Sequence, residues 1–128
     1  LFVRRATFVA IDGFDERFDN PHFREDTDLG WRASERGKIP FGHDVRVYHP
    51  PQPRSVEREG LAHRNRFFEK DALLLQKHPD RYRSLFLQEG HYRQTPGFRD
   101  YFLHGVEKYS VEIDSFFIEM LAQGSQPV

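Results

Sequence analysis

The sequence predicts a helix-rich α+β chain, a segment of short strands and helices followed by amphipathic helices. Three observations carry this. Val45, Val47 and His49 alternate with Arg46 and Tyr48, the period of a strand with one buried face. From Val56 to His78, Leu61, Phe68, Ala72 and Leu75 recur at helical spacing, with Phe67 and Leu74 widening the stripe. From Phe98 to about Gln123 the same spacing returns in Phe98, Phe102, Val106, Tyr109, Ile113, Phe116 and Met120. At 128 residues the chain suits one domain around a single core.

Taken in order, Leu1 to Val3 reads as the end of a strand already under way, so the chain itself reads as a fragment or excised domain. A short helix is expected over Arg5 to Ile11. A turn follows, because Asp12-Gly13 and Asp15-Glu16 break the periodicity, and Phe14 and Phe18 anchor it. Asp19-Asn20-Pro21-His22 is loop chemistry. The next helix begins near Asp26 and ends at Arg36, with Gly37 beyond its cap. The strand over Val45 to His49 carries His49 to the valine side, and Pro50, Pro51 and Pro53 stop it in a stiff linker. The helix over Val56 to His78 ends at Pro79, which opens a shorter helix to Leu87, closed by Glu89-Gly90. One or two helices fill Phe98 to Gln123, with Gly105 as the weak point, and Gly124 to Val128 frays.

Composition removes several function classes. Nineteen basic against twenty acidic residues, with no basic tract, argue against nucleic acid as a partner. The absence of cysteine excludes disulfides, thiolate metal sites and cysteine nucleophiles. The apolar runs are far too short to span a membrane, and no signal peptide is visible. Thirteen phenylalanines and five tyrosines in a chain only 38% hydrophobic suggest aromatic patches that meet something outside it.

The most informative stretch is FREDTDLGWR, residues 23–32, in which Glu25, Asp26 and Asp28 fall within four positions. Carboxylates at a helix start favour its dipole by roughly 0.3–1 kcal/mol each, and Asp28 with Arg32 is the favourable order for a helical ion pair. A purely structural reading therefore exists. It leaves the density unexplained, since three neighbouring acids repel one another unless a cation or shared proton compensates, and one of them could then serve as a base.

The ordered series Arg4-Arg5-x-x-Phe8, Asp12-Gly13-Phe14-Asp15-Glu16-x-Phe18, Glu25-Asp26-Thr27-Asp28-Leu29-x-x-Arg32, Gly37 and the strand ending in His49 resembles the second half of family 2 glycosyltransferases. These are inverting nucleotide-sugar enzymes of the GT-A fold. The similarity covers about residues 1–50 and lies in the combination of segments. It departs at Asp12, where the family has glycine.

The resemblance implies a GT-A-like acceptor-side and catalytic segment over residues 1–54 and a helical extension over 55–128, with the N-terminal nucleotide-binding half absent. It makes Asp26 the general base. Glu25 and Asp28 shape its field and orient the acceptor, Arg32 holds Asp28, and Trp31 can stack on a sugar or pack on a neighbouring element. His49 becomes a ligand to a divalent metal, manganese or magnesium, completed by ligands outside this chain. The alternative for His49 is a partly buried, hydrogen-bonded histidine. His22 and His43 are loop residues near the same region. The implied partners are a nucleotide-sugar donor and a glycan or other hydroxyl acceptor, in a cytoplasmic protein or one at the inner face of the membrane. The isolated chain is expected to be inactive.

Two other classes compete. The Phe-rich helices could be a non-catalytic interaction module, forming a homodimer through helices or exposed strand edges. Arg58, Arg64 and Arg66 beside Phe67 and Phe68 would allow peripheral membrane contact, although Glu57, Glu59, Glu69 and Asp71 weaken it. Alternatively, Glu25, Asp26, Asp28 and His49 could serve a metal-dependent hydrolase. Acids at successive positions of one helix point in different directions, which counts against a shared ion.

Overall fold

The computed structural model describes residues 2–51 and 66–123. The order is helix α1 (Arg5–Ala10), a 3-10 turn (Glu16–Phe18), α2 (Glu25–Ser34), a second 3-10 turn (Arg66–Phe68), α3 (Glu69–Lys77), α4 (Pro79–Leu87), a third 3-10 turn (Tyr92–Gln94), α5 (Phe98–Lys108) and α6 (Ser115–Gln123). Among the described residues there is no strand, so the expected α+β class with a strand-bearing GT-A-like segment is corrected to all-helical.

The physical reason is visible at Val45 to His49. The residues keep their alternation but, among the described residues, have no neighbouring strand to take their N–H and C=O groups, and an alternating segment without a partner cannot bury either face. Val45, Val47 and Tyr48 are 59%, 80% and 83% exposed, and His49 is exposed beside them instead of lying on an apolar side. At the other end, Phe2 and Val3 are irregular and lead directly into α1.

The helices follow their sequence signals closely. Pro79 opens α4, which ends at Leu87. The Asp26 to Arg36 helix starts one residue earlier and ends at Ser34. Of the helix expected over Val56 to His78, Val56 to Asn65 lies outside the described residues and the rest is the 3-10 turn plus α3. Leu1, Pro53 and Gly124 to Val128, with Arg58 and Arg64, also lie outside. The C-terminal stretch is two helices, α5 and α6. Ser110, with φ of 52°, turns the chain between them while the Val111 N–H bonds back to the Val106 carbonyl at 2.9 Å.

The core holds Phe18, Phe68, Ala72, Leu73, Leu74, Tyr82, Phe86, Phe98, Phe102, Phe117 and Leu121. Most of the aromatic surface that suggested an outside partner is therefore used internally. Phe98 stacks on Phe102 at 5.5 Å and Phe86 meets Phe117 edge-on at 5.3 Å, geometries that favour ring pairs. Phe67 stacks on Phe23 and Phe68 is buried, so this pair points at protein.

α3 packs most extensively on α5, and Gly105 makes that possible. A Cβ at 105 would stand 2.5 Å from the Glu69 carbonyl oxygen and 3.0 Å from the Ala72 Cβ. The residue expected to weaken the helix is thus its point of closest approach. No helix among the described residues is long and apolar enough to cross a membrane.

Candidate functional site

Helix α2 begins at Arg24, whose φ of 69° lies in the left-handed region that non-glycine residues seldom adopt. The conformation is held by its side chain. The Arg24 guanidinium lies over the rings of Phe23 and Tyr92 and donates to the buried Asp71 carboxylate, with both Nε and a terminal nitrogen at 3.0 Å. The start of the acidic segment is thereby tied to α3, 47 positions away.

Asp28, one turn into α2, is fully buried and is the centre of an ionic network. Its Oδ2 accepts from Arg32 Nε at 2.9 Å, the i,i+4 pair that the sequence pattern predicts. Its Oδ1 accepts from Lys77 Nζ at 2.7 Å and His78 Nε2 at 2.8 Å. Burial alone would raise the Asp28 pKa, but the hydrogen bonds from Lys77, His78 and Arg32 outweigh it and hold the carboxyl below its ordinary range. An acid fixed in its ionised form by three donors is a poor proton acceptor.

The network extends outward. Lys77 also reaches Asp15 at 2.9 Å, and Asp15 is held by Arg17 at 2.7 Å; that hydrogen bond, with Lys77 assisting, depresses the Asp15 pKa strongly. Arg32 donates to the carbonyls of Ile11 and Gly13 at 2.5 and 2.7 Å, so the turn after α1 is clamped to α2. In that turn Asp12, which stands where the family pattern has glycine, takes φ of 61°, a conformation aspartate tolerates better than most residues. Gly13 follows at φ of 59°, packed so closely under Phe8 that a Cβ would fall 2.8 Å from the ring.

Asp26 behaves differently. It is exposed at the first turn of α2, its Oδ1 accepts from the Thr27 N–H at 2.7 Å, and among the described residues it has no ion-pair partner. Glu25 is half-buried and Thr27 lies between the two aspartates. Trp31 is half-buried, with its ring edge-on to His78 at 5.2 Å, and its carbonyl accepts from Arg81 at 2.9 Å. The structure therefore brings Asp28, Arg32 and Trp31 together around Lys77 and His78, with Asp26 on the solvent side. His22, His43 and His49 are exposed in irregular segments.

Among the described residues no three of His, Asp and Glu are arranged to hold a metal ion. The divalent ion that the resemblance implies would be held by His49 and by ligands outside this chain; His49 lies exposed, and Asp28 is already neutralised by Lys77, His78 and Arg32. The four residues of the hydrolase reading likewise do not form one cluster.

Asp15, Arg24, Asp71, Lys77 and His78 were not singled out from the sequence. Only Asp15 carried a local signal, as part of the turn. Compared with protein-family models, with curated proteins and with solved structures, the chain finds no match.

Proposed function

We propose that these residues form the acceptor-side part of an inverting glycosyltransferase in which Asp26 is the general base. The observation that carries the reading is the division inside the acidic segment: Asp28 is spent on the fold, while Asp26 stands exposed and, among the described residues, without a cation at the start of a helix whose position Arg24 and Asp28 fix. The reading also draws on the ordered motifs from Arg4 to Arg32.

The chemistry is a single displacement. Asp26 takes the proton of an acceptor hydroxyl as its oxygen attacks the anomeric carbon, and the bond from that carbon to the nucleoside diphosphate breaks with the electron pair leaving on phosphate. A carboxylate already paired with Lys77 and Arg32 could not serve. Binding of the donor and neutralisation of the leaving diphosphate fall to groups beyond the described residues.

The test is nucleotide-sugar turnover by this 128-residue chain and by the longer protein that the reading requires, each with and without Asp26→Asn. The expected result is turnover in the longer protein alone, reduced on the order of 100-fold or more by Asp26→Asn, with donor binding retained. Unchanged turnover in the variant would contradict the assignment and favour a non-catalytic helical interaction module.

A further inference from the structure

A second polar site is built from α3 and α5 alone. Glu69 opens α3 and is buried, because its backbone lies against Gly105 where the two helices cross. Its carboxylate oxygens are taken by two side chains of α5 that stand one turn apart on the same face, His104 and Lys108. Oε1 meets His104 Nδ1 at 2.7 Å, and Oε2 accepts from Lys108 Nζ at 3.1 Å. Burial alone would raise the Glu69 pKa, but the hydrogen bonds from Lys108 and His104 outweigh it and hold the carboxyl below its ordinary range.

An ionised carboxylate can only accept, so His104 Nδ1 carries the proton, and the lone pair of the neutral ring is on Nε2. The His104 side chain is 62% exposed, and Nε2 lies across the ring from the buried contact. A carboxylate behind a histidine fixes its tautomer and orientation and stabilises the positive charge that develops when the far nitrogen takes up an electrophile. The other exposed histidines lack this support. Among the described residues His43 and His49 have no carboxylate partner, and His22 stands 3.6 Å from the exposed Asp19.

The surroundings select the electrophile. Lys108 is partly exposed, and Arg66, exposed just before α3, is close enough for its charge to act on that of Lys108. These cations suit an anionic electrophile and oppose a metal ion, while the acids flanking His104 on α5, Asp100 and Glu107, are exposed to water that screens them. We propose that His104 is a phosphoryl-acceptor site with Glu69 as its positioning residue, charged at Nε2 by a donor whose phosphoryl group is held through a labile bond to nitrogen. The Nε2 lone pair forms the new bond to phosphorus as the donor's phosphorus–nitrogen bond breaks. That electron pair leaves on the donor nitrogen, which takes a proton from solvent. The imidazolium so formed keeps its Nδ1 proton on Glu69.

Phosphoramidate is the probe, with phosphate on each histidine of the 128-residue chain followed by mass spectrometry and its ring position read from nitrogen–phosphorus couplings in NMR. The expected result is phosphorylation of His104 at Nε2 at least about tenfold faster than of His43 or His49 in the same molecules. Equal rates at the three histidines would overturn the proposal, and so would phosphate on Nδ1; neither comparison needs a variant. Glu69→Gln, which keeps a hydrogen-bonding side chain of the same size, should lower the His104 rate to that of His43. An unchanged rate in the folded variant would overturn the role of Glu69. None of these results depends on the transferase reading.

Discussion

Two residues along a helix amount to a rotation of about 200°, so an acid that faces the core at 28 leaves its neighbour at 26 facing solvent. Part of this was legible from spacing, since Asp28 and Arg32 are four apart. The involvement of Lys77 and His78 was not, because the contact between His78 and Asp28 spans 50 positions and no local pattern encodes it. The network predicts a pH dependence. Asp15 and Asp28 have pKa values lowered in the fold, so their contribution is fully present above the unfolded value of about 3.9 and is lost as pH falls through the folded values. Unfolding free energy should therefore hold steady above about pH 5 and fall on acidification. Asp28→Asn should flatten that acid limb in urea unfolding followed against pH. The same slope in variant and parent sequence would show that Asp28 is not a source of it.

At the scale of elements, helices that carry their own signals formed where the periodicity put them. α4 has proline at its first position, and the apolar stripes of α3, α5 and α6 each found a neighbour to bury against. The Val45 to His49 strand failed because alternation describes a face and not a partner; with no adjacent strand among the described residues, the valines remain exposed. Gly105 shows the opposite limit of propensity. Alanine there should gain about 1 kcal/mol of helix propensity, yet its Cβ would strike the backbone of α3, where rigid atoms cannot move aside. Gly105→Ala is expected to destabilise the fold by about 1–3 kcal/mol net, read from chemical unfolding. A variant as stable as the parent sequence would mean that the α3–α5 crossing is looser than 2.5 Å implies.

Across the whole molecule, the first part of the chain is tied to the helical part by polar links as much as by apolar packing. Arg24 to Asp71, Asp28 to Lys77 and His78, and the buried Lys70, whose Nζ donates to the Arg17 carbonyl at 2.6 Å, all cross between residues 2–51 and 66–123. This arrangement makes the acidic segment rigid on its core side and leaves Asp26 available on the other. The measurement that tests it most directly compares urea unfolding of Asp26→Asn with that of Asp28→Asn. Asp28→Asn should lose about 3–5 kcal/mol by removing the counter-charge of Arg32 and one of the two carboxylates that hold Lys77, whereas Asp26→Asn should lose less than about 1 kcal/mol, the scale of an exposed helix-dipole contact. Equal losses, or a larger loss for Asp26→Asn, would contradict the division of roles on which the functional reading stands.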